Sequence, residues 1–224
     1  MRLLIIILTF LFISSSTFGQ ISRDSLFVFT GKRISIKKVK DFVDKETLID
    51  SIIVNDSVVY VEIPNVIQDY KYKGKFKVLK QFEGNLKEKE IEFDLYNHYG
   101  KPKFPKSNIY LLFVIKINGG YQLLKYAHHQ VYETTKGQYV IPYDMNEYRN
   151  QKPPLTKIQA EKINFKKTPT FRIYKDDSED WISRTYPEPY YRIENRKAIP
   201  IYGNYIKDYI KLRLNGTLKE VFEN

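Results

Sequence analysis

Few side chains in this sequence are of a type and spacing that could do chemistry. Its three histidines are His98, His128 and His129. Histidine suits metal ligation and proton transfer near neutral pH. His128 and His129 are adjacent in a stretch that reads as a strand, so their rings point to opposite faces and do not converge on one metal. His98 lies beside Asn97 and Tyr99, where a strand enters a loop carrying Gly100, Pro102 and Pro105. Either a functional imidazole or a loop-packing one fits there. The run Asp176-Asp177-Ser178-Glu179-Asp180 has carboxylates spaced as in a calcium loop, but the following glycine and the distal glutamate are missing. It reads as a solvated acidic turn.

Aromatic rings offer a different chemistry. Trp181 is the single tryptophan, and Tyr186, Tyr190 and Tyr191 follow it around Pro187 and Pro189. The prolines stiffen the segment, so its rings can be presented at little entropic cost, either as a stacking platform or as packing for a small annex. The candidate ligand-binding residues are therefore Trp181, Tyr186, Tyr190, Tyr191, His98 and Tyr99. No catalytic residue, metal ligand or cofactor is assigned. The sequence has no Gly-x-Ser-x-Gly elbow, no His-Glu-x-x-His, no phosphate-cradling glycine loop and no dinucleotide fingerprint. Two carboxylates distant in sequence could still converge for glycoside hydrolysis.

Composition narrows the setting. Arg2, the apolar run Leu3 to Ile13 and the small residues Thr17 and Gly19 form an export signal with cleavage expected before Gln20. The run has eleven residues, whereas a membrane-spanning helix needs roughly 20. No later run approaches that length, so no integral membrane span is expected after signal removal. Cysteine is absent, which excludes disulfides, a thiolate nucleophile and lipid attachment through an N-terminal cysteine. A soluble periplasmic or secreted protein is expected, held together by its core alone. The net charge is +11, but the basic excess is spread along the chain. Given export, nucleic acid is not the expected partner; a glycan or an envelope protein is.

The elements that must position these residues are mostly strands. From Tyr70 to Val78 the sequence alternates without exception, putting Tyr70, Tyr72, Phe76 and Val78 on one face and Lys71, Lys73, Lys75 and Lys77 on the other. The lysine row could be an anion-binding rail. However, the next strand carries Glu88, Glu90, Glu92 and Asp94 on its outward face. A hairpin turning near Gly84 sets the two rows side by side, with Lys77 opposite Glu92 or, two residues along, opposite Glu90. The rail then reads as a charge-paired face. Further strands are expected at Leu26–Val39 with a bulge at Gly31, at 58–63, at Ile109–Ile117, at Tyr121–Glu133 after the Asn118-Gly119-Gly120 turn, and at Gln138–Ile141. Residues 41–56 read as a polar connection. Beyond Pro153-Pro154, the pattern predicts a helix over 156–163, a strand at 171–174 and pairing of 190–193 with 198–202. After an Asn204 cap it fits either a helix or a hairpin.

Phe27-Val28-Phe29-Thr30-Gly31-Lys32 with Ile34 and Ile36, and Phe76 to Gly84, resemble the early strands of netrin-module and metalloproteinase-inhibitor barrels. The whole chain is also similar to small exported bacterial β-barrel proteins. The barrel resemblance covers residues 26–142 and implies an OB-like Greek-key barrel. Inhibitor activity does not carry over, because those inhibitors chelate the target's metal through an N-terminal cysteine that this chain lacks. The expected fold is mainly β: a signal peptide (1–19), an OB-like barrel (20–143), a connector (144–154) and a small tyrosine-rich α+β annex (155–224). The expected function is that of an exported binding or interaction module. The alternative is an envelope hydrolase using dispersed carboxylates or His98.

Overall fold

The computed structural model describes residues 21–40, 45–54, 57–67, 69–150 and 158–222. The expected signal segment lies outside these residues. Seven strands come first: β1 (Leu26–Lys38), β2 (Lys45–Val54), β3 (Ser57–Ile67), β4 (Tyr70–Glu83), β5 (Glu90–Asn97), β6 (Ile109–Ile117) and β7 (Gly120–Glu133). Among the described residues β2 and β3 pair only with each other, as a two-stranded ribbon that lies between β1 and β4 in the sequence. The polar connection expected at 41–56 is therefore corrected: 45–54 is a strand. Asp50 and Ser51 interrupt its apolar pattern, but Leu48, Ile49, Ile52 and Ile53 still pair in register with Ile63, Glu62, Val59 and Val58.

The other five strands run in the order β5-β4-β1-β6-β7, and β5 also touches β7 through one parallel bridge, Asp94 to Gln122. The sheet thus curls into a partial ring. Phe29, Phe76, Phe93, Tyr110, Leu112 and Val114 fill its interior. Phe104, from the loop after β5, joins them, with its ring 5.4 Å from Phe76 and 4.8 Å from Tyr110. Leu111, Phe113 and Ile115 point the opposite way into a second core. β6 is buried on both faces, which is why its sequence is continuously apolar rather than alternating.

The hairpin β4–β5 takes the second of the two expected registers, with Lys77 opposite Glu90, Lys75 opposite Glu92, Lys73 opposite Asp94 and Phe76 opposite Ile91. Asp94 forms ion pairs with Lys71 at 2.9 Å and with Lys73 at 2.6 Å, while Lys75 reaches Glu90 at 2.7 Å. Gly74 sits on the buried face because a Cβ there would lie 2.9 Å from Leu95 Cδ2. Asn118 and Gly119 turn the β6–β7 hairpin with φ of 50° and 75°, the left-handed pair of a tight hairpin.

β8 (Tyr139–Pro142) pairs with the end of β7. The chain continues through α1 (Met145–Arg149), β9 (Glu161–Lys162), β10 (Phe171–Arg172), α2 (Glu179–Thr185), β11 (Tyr191–Glu194), β12 (Lys197–Pro200), β13 (Tyr202–Tyr205), α3 (Ile206–Asn215) and α4 (Lys219–Phe222). β13 pairs with β8 and β9, extending the main sheet to eight strands, while β10, β12 and β11 form a small sheet. The segment after 154 therefore divides. Its middle builds the small sheet, and β13 and α3 return to the main one. Tyr209, Ile210, Leu212 and Leu214 pack with Leu111, Phe113 and Ile115 in one core.

Two local expectations need correction. Of the helix expected over 156–163, residues 156–157 lie outside the described set, and 158–163 hold the short strand β9 instead. Tertiary pairing with β13 outweighs the local helical pattern: Glu161 sits opposite Gly203, and the Gln159 carbonyl accepts Asn204 Nδ2 at 3.1 Å. Asn204 is also not the cap of α3. Its side chain is committed to Gln159 and to the Tyr148 hydroxyl at 2.8 Å, and the cap position falls to Tyr205.

Candidate functional site

A cleft of about 560 Å³ opens where the end of β7 and β8 meet the small sheet and α2. It is best built from Asp144, the residue that leaves β8 and caps α1. Asp144 Oδ1 accepts the Asn146 amide at 3.1 Å, an N-cap bond that satisfies an orphan helix donor. Its other oxygen, Oδ2, accepts the Tyr209 hydroxyl at 3.2 Å. Tyr209 is fully buried in α3, and its hydroxyl also lies 3.0 Å from His129 Nδ1. A phenol has one proton. With that proton given to Asp144, the Tyr209 oxygen accepts from His129, and Nδ1 carries the imidazole hydrogen.

These contacts fix the polar floor of the cleft. Burial, with the Arg213 guanidinium nearby and then His128, holds His129 well below the ordinary histidine value, so its ring is neutral at pH 7. Burial also pushes the Tyr209 phenol well up, helped by Asp144. One turn along α1, Arg149 donates to the Met145 sulfur at 3.1 Å and has no carboxylate partner among the described residues. Arg184, also lining the cleft, is paired with Asp180.

The opposite wall is aromatic. Ser178 caps α2 by accepting the Trp181 amide at 3.2 Å, which starts the helix that carries Trp181, Arg184 and Thr185 to the cleft. Trp181 meets Tyr186 edge-on at 5.9 Å, and Phe171 of β10 stacks with Tyr186 at 6.0 Å. Trp181 remains 41% exposed. Tyr191 closes the base: it is 5% exposed, and its hydroxyl donates to the Tyr143 carbonyl at 2.5 Å. Tyr190 stacks face to face on Tyr143 at 3.8 Å, with Tyr148 on the far side of Tyr143 at 4.5 Å.

Of the residues expected from sequence, the structure gathers Trp181, Tyr186 and Tyr191 around this cleft. Tyr190 stands behind it, its ring covered by Tyr143. His98 and Tyr99 lie elsewhere, in the loop after β5, where their rings meet edge-on at 5.2 Å and Tyr99 is exposed. His128 and His129 do point to opposite faces. The ring of His128 lies 4.6 Å from Phe104 and that of His129 lies 4.9 Å from Tyr209. The acidic run is used locally: Asp177 accepts the Tyr174 amide at 2.6 Å, Asp180 pairs with Arg184, and Ser178 is the cap. Among the described residues no group of three or more His, Asp or Glu side chains could hold a metal ion. No helix among them is long and apolar enough to cross a membrane.

Sequence reasoning missed His129, Asp144, Asn146, Arg149, Phe171 and Tyr209. One signal was available: Asp144-Met145-Asn146-Glu147 is an Asp-x-x-Glu helix start, which would have turned the expected connector into α1. The rest required the fold, because the lining comes from five separated stretches of chain.

Searches against family models, curated proteins and solved structures find no match for the chain. The resemblance to netrin-module barrels thus gains no support there.

Proposed function

We propose that the chain is an exported, soluble binding module of the cell envelope, and that its ligand is a carbohydrate held in the cleft of Asp144 and Trp181. One observation carries this reading: the aromatic side chains of Phe171, Trp181 and Tyr186 share a cleft with the carboxylate, amide and guanidinium of Asp144, Asn146 and Arg149. A sugar ring has an apolar face of C–H groups and an equator of hydroxyls. Aromatic rings match the first, and fixed acceptors and donors match the second. The volume lies within the range of small-molecule sites. Export is supported by the N-terminal run Leu3 to Ile13 with Thr17 and Gly19.

The strand ring β1-β4-β5-β7-β6 agrees with an OB-like Greek-key barrel of five partly closed strands. Ligands of such barrels usually lie on the second and third strands, here β4 and β5. On that face Asp94 and Glu90 already occupy the ammonium groups of Lys71, Lys73 and Lys75, which favours the cleft instead.

Binding is favoured over cleavage because hydrolysis of a glycosidic bond needs two carboxyl groups about 5–10 Å apart. Asp144 is the one carboxylate among the described residues lining the cleft, and both its oxygens are engaged. His98, the imidazole expected for a hydrolase, lines neither this cleft nor the one next to it. The test is a glycan array probed with the protein from Gln20 onward, beside Trp181→Ala. Binding that falls at least tenfold in the variant supports the reading. An empty array, or a signal indifferent to Trp181, overturns it.

A further inference from the structure

The cleft does not end at its own wall. A second one, of about 680 Å³, adjoins it along the end of β7, and Gln130 and Tyr132 line both. Those two residues are two apart on one strand, so they share a face at a spacing of roughly 7 Å. Among the described residues, Gln130 and Tyr132 are the two that line both clefts, so this pair forms the saddle between them.

The second cleft is built from fixed parts. The segment that roofs it is tied to the end of β7 by a bridge between Thr134 and Phe165, by Lys166 N to Glu133 O at 2.9 Å and by Thr135 N to Asn164 O at 2.9 Å. Phe165 meets Tyr132 edge-on at 6.4 Å, which fixes the saddle from the roof side. The character of the lining changes across the saddle. Ser107, Asn108, Thr168 and Thr170 bring hydroxyls and an amide to the second cleft, where the first offers aromatic rings. Lys166 pairs with Glu133 at 3.0 Å, and Lys167 has no carboxylate partner among the described residues.

We infer that the ligand is a linear oligosaccharide that crosses the saddle at Gln130 and Tyr132, one unit stacking against Trp181 and later units hydrogen-bonding in the second cleft. The inference rests on the carbohydrate reading of the first cleft. A chain of repeating rings needs an apolar face only where it is anchored and hydrogen-bonding groups wherever it runs on, and the groove supplies them in that order. Occupying both clefts with one molecule converts the second contact into an intramolecular event, so affinity must rise with chain length until the groove is filled.

The experiment is titration calorimetry of the protein from Gln20 onward with three 1,4-linked series, β-linked glucose, β-linked N-acetylglucosamine and α-linked galacturonate, each from one to six units. In the series that binds, the dissociation constant is expected to fall at least tenfold between the dimer and the pentamer. Asn108→Ala combined with Lys167→Ala is expected to bring the pentamer back to the affinity of the dimer, with an unchanged melting temperature as the check on folding. Trp181→Ala should weaken every length. Affinity that is flat beyond the dimer, or a pentamer indifferent to the second-cleft variant, overturns the inference and leaves the one-cleft reading standing. Failure of every length in all three series overturns the carbohydrate reading itself, as does tighter binding of an unstructured peptide library.

Discussion

At the scale of single residues, the floor of the cleft depends on one hydroxyl. Tyr209 Oη bridges Asp144 Oδ2 and His129 Nδ1. Tyr209→Phe keeps the ring and removes the bridge, leaving two half-buried polar atoms without it. A stability loss of about 1–2 kcal/mol is expected, read from urea midpoints, with roughly a fivefold loss of carbohydrate affinity as Asp144 loses its anchor. Retained affinity would mean that Asp144 is held well enough by α1 alone. The two adjacent histidines set a pH dependence. Burial pushes His128 down to about 4, and His129 is lowered for the same reason. An unfolded chain takes up protons on both rings near pH 6.5 while the folded one does not, so stability present above pH 6.5 is lost as the pH falls towards 4. The slope is up to about 1.4 kcal/mol per pH unit for each ring. Glu147, raised by burial, offsets part of this from the other direction. Replacing His128 with Leu should remove about half of the slope in melts at pH 4.5, 5.5 and 7.5; an unchanged slope would place the titration elsewhere.

At the scale of elements, α1 and α3 are joined by the buried pair Glu147 and Arg213 at 2.6 Å, with Thr217 donating to the same carboxylate at 2.8 Å. Arg213 also lies over the Phe113 ring at 5.6 Å. Removing one partner of such a pair leaves an uncompensated charge, so Arg213→Met is expected to cost about 3–5 kcal/mol. Adding Glu147→Leu should recover most of it, read by chemical denaturation; additive losses would show the two groups act independently. Legibility divides along the same lines. The β4–β5 hairpin was readable because alternating lysines and carboxylates fix both faces and nearly fix the register. β6 was readable as a strand but not as a layer between two cores, since its continuous apolar run does not say what covers each side. α3 stayed open between helix and hairpin because Leu212 and Leu214 fit both periods until Tyr209 and Ile210 are seen packed on β6. Trp181, Tyr186 and Tyr191 were visible as a local cluster. Asp144, His129 and Tyr209 were not, because 65 and 80 residues of chain separate Tyr209 from its two partners.

At the scale of the whole molecule, the C-terminal third completes the sheet and one of its cores, so the chain should unfold as a unit. The single tryptophan sits on α2, outside the strand ring, and its fluorescence reports the small sheet, whereas far-ultraviolet circular dichroism reports mainly the strands. Coincident urea transitions by the two probes are expected. An earlier fluorescence transition would reveal a C-terminal segment that melts by itself. A chain cut at residue 143 should aggregate, since Leu111, Phe113 and Ile115 would lose their cover.

The single bridge between β5 and β7 has a dynamic consequence. On the β1–β6 flank every rung of the ladder from Leu26 to Lys32 is made, while across the opposite seam only Asp94 and Gln122 are joined, and the Phe104 ring plugs the interior between Phe76, Tyr110 and His128. The molecule therefore has a stiff side zipped by backbone bonds and a soft side held by side-chain packing. Breathing is cheapest along that soft side, where a ring can swing aside without breaking a ladder.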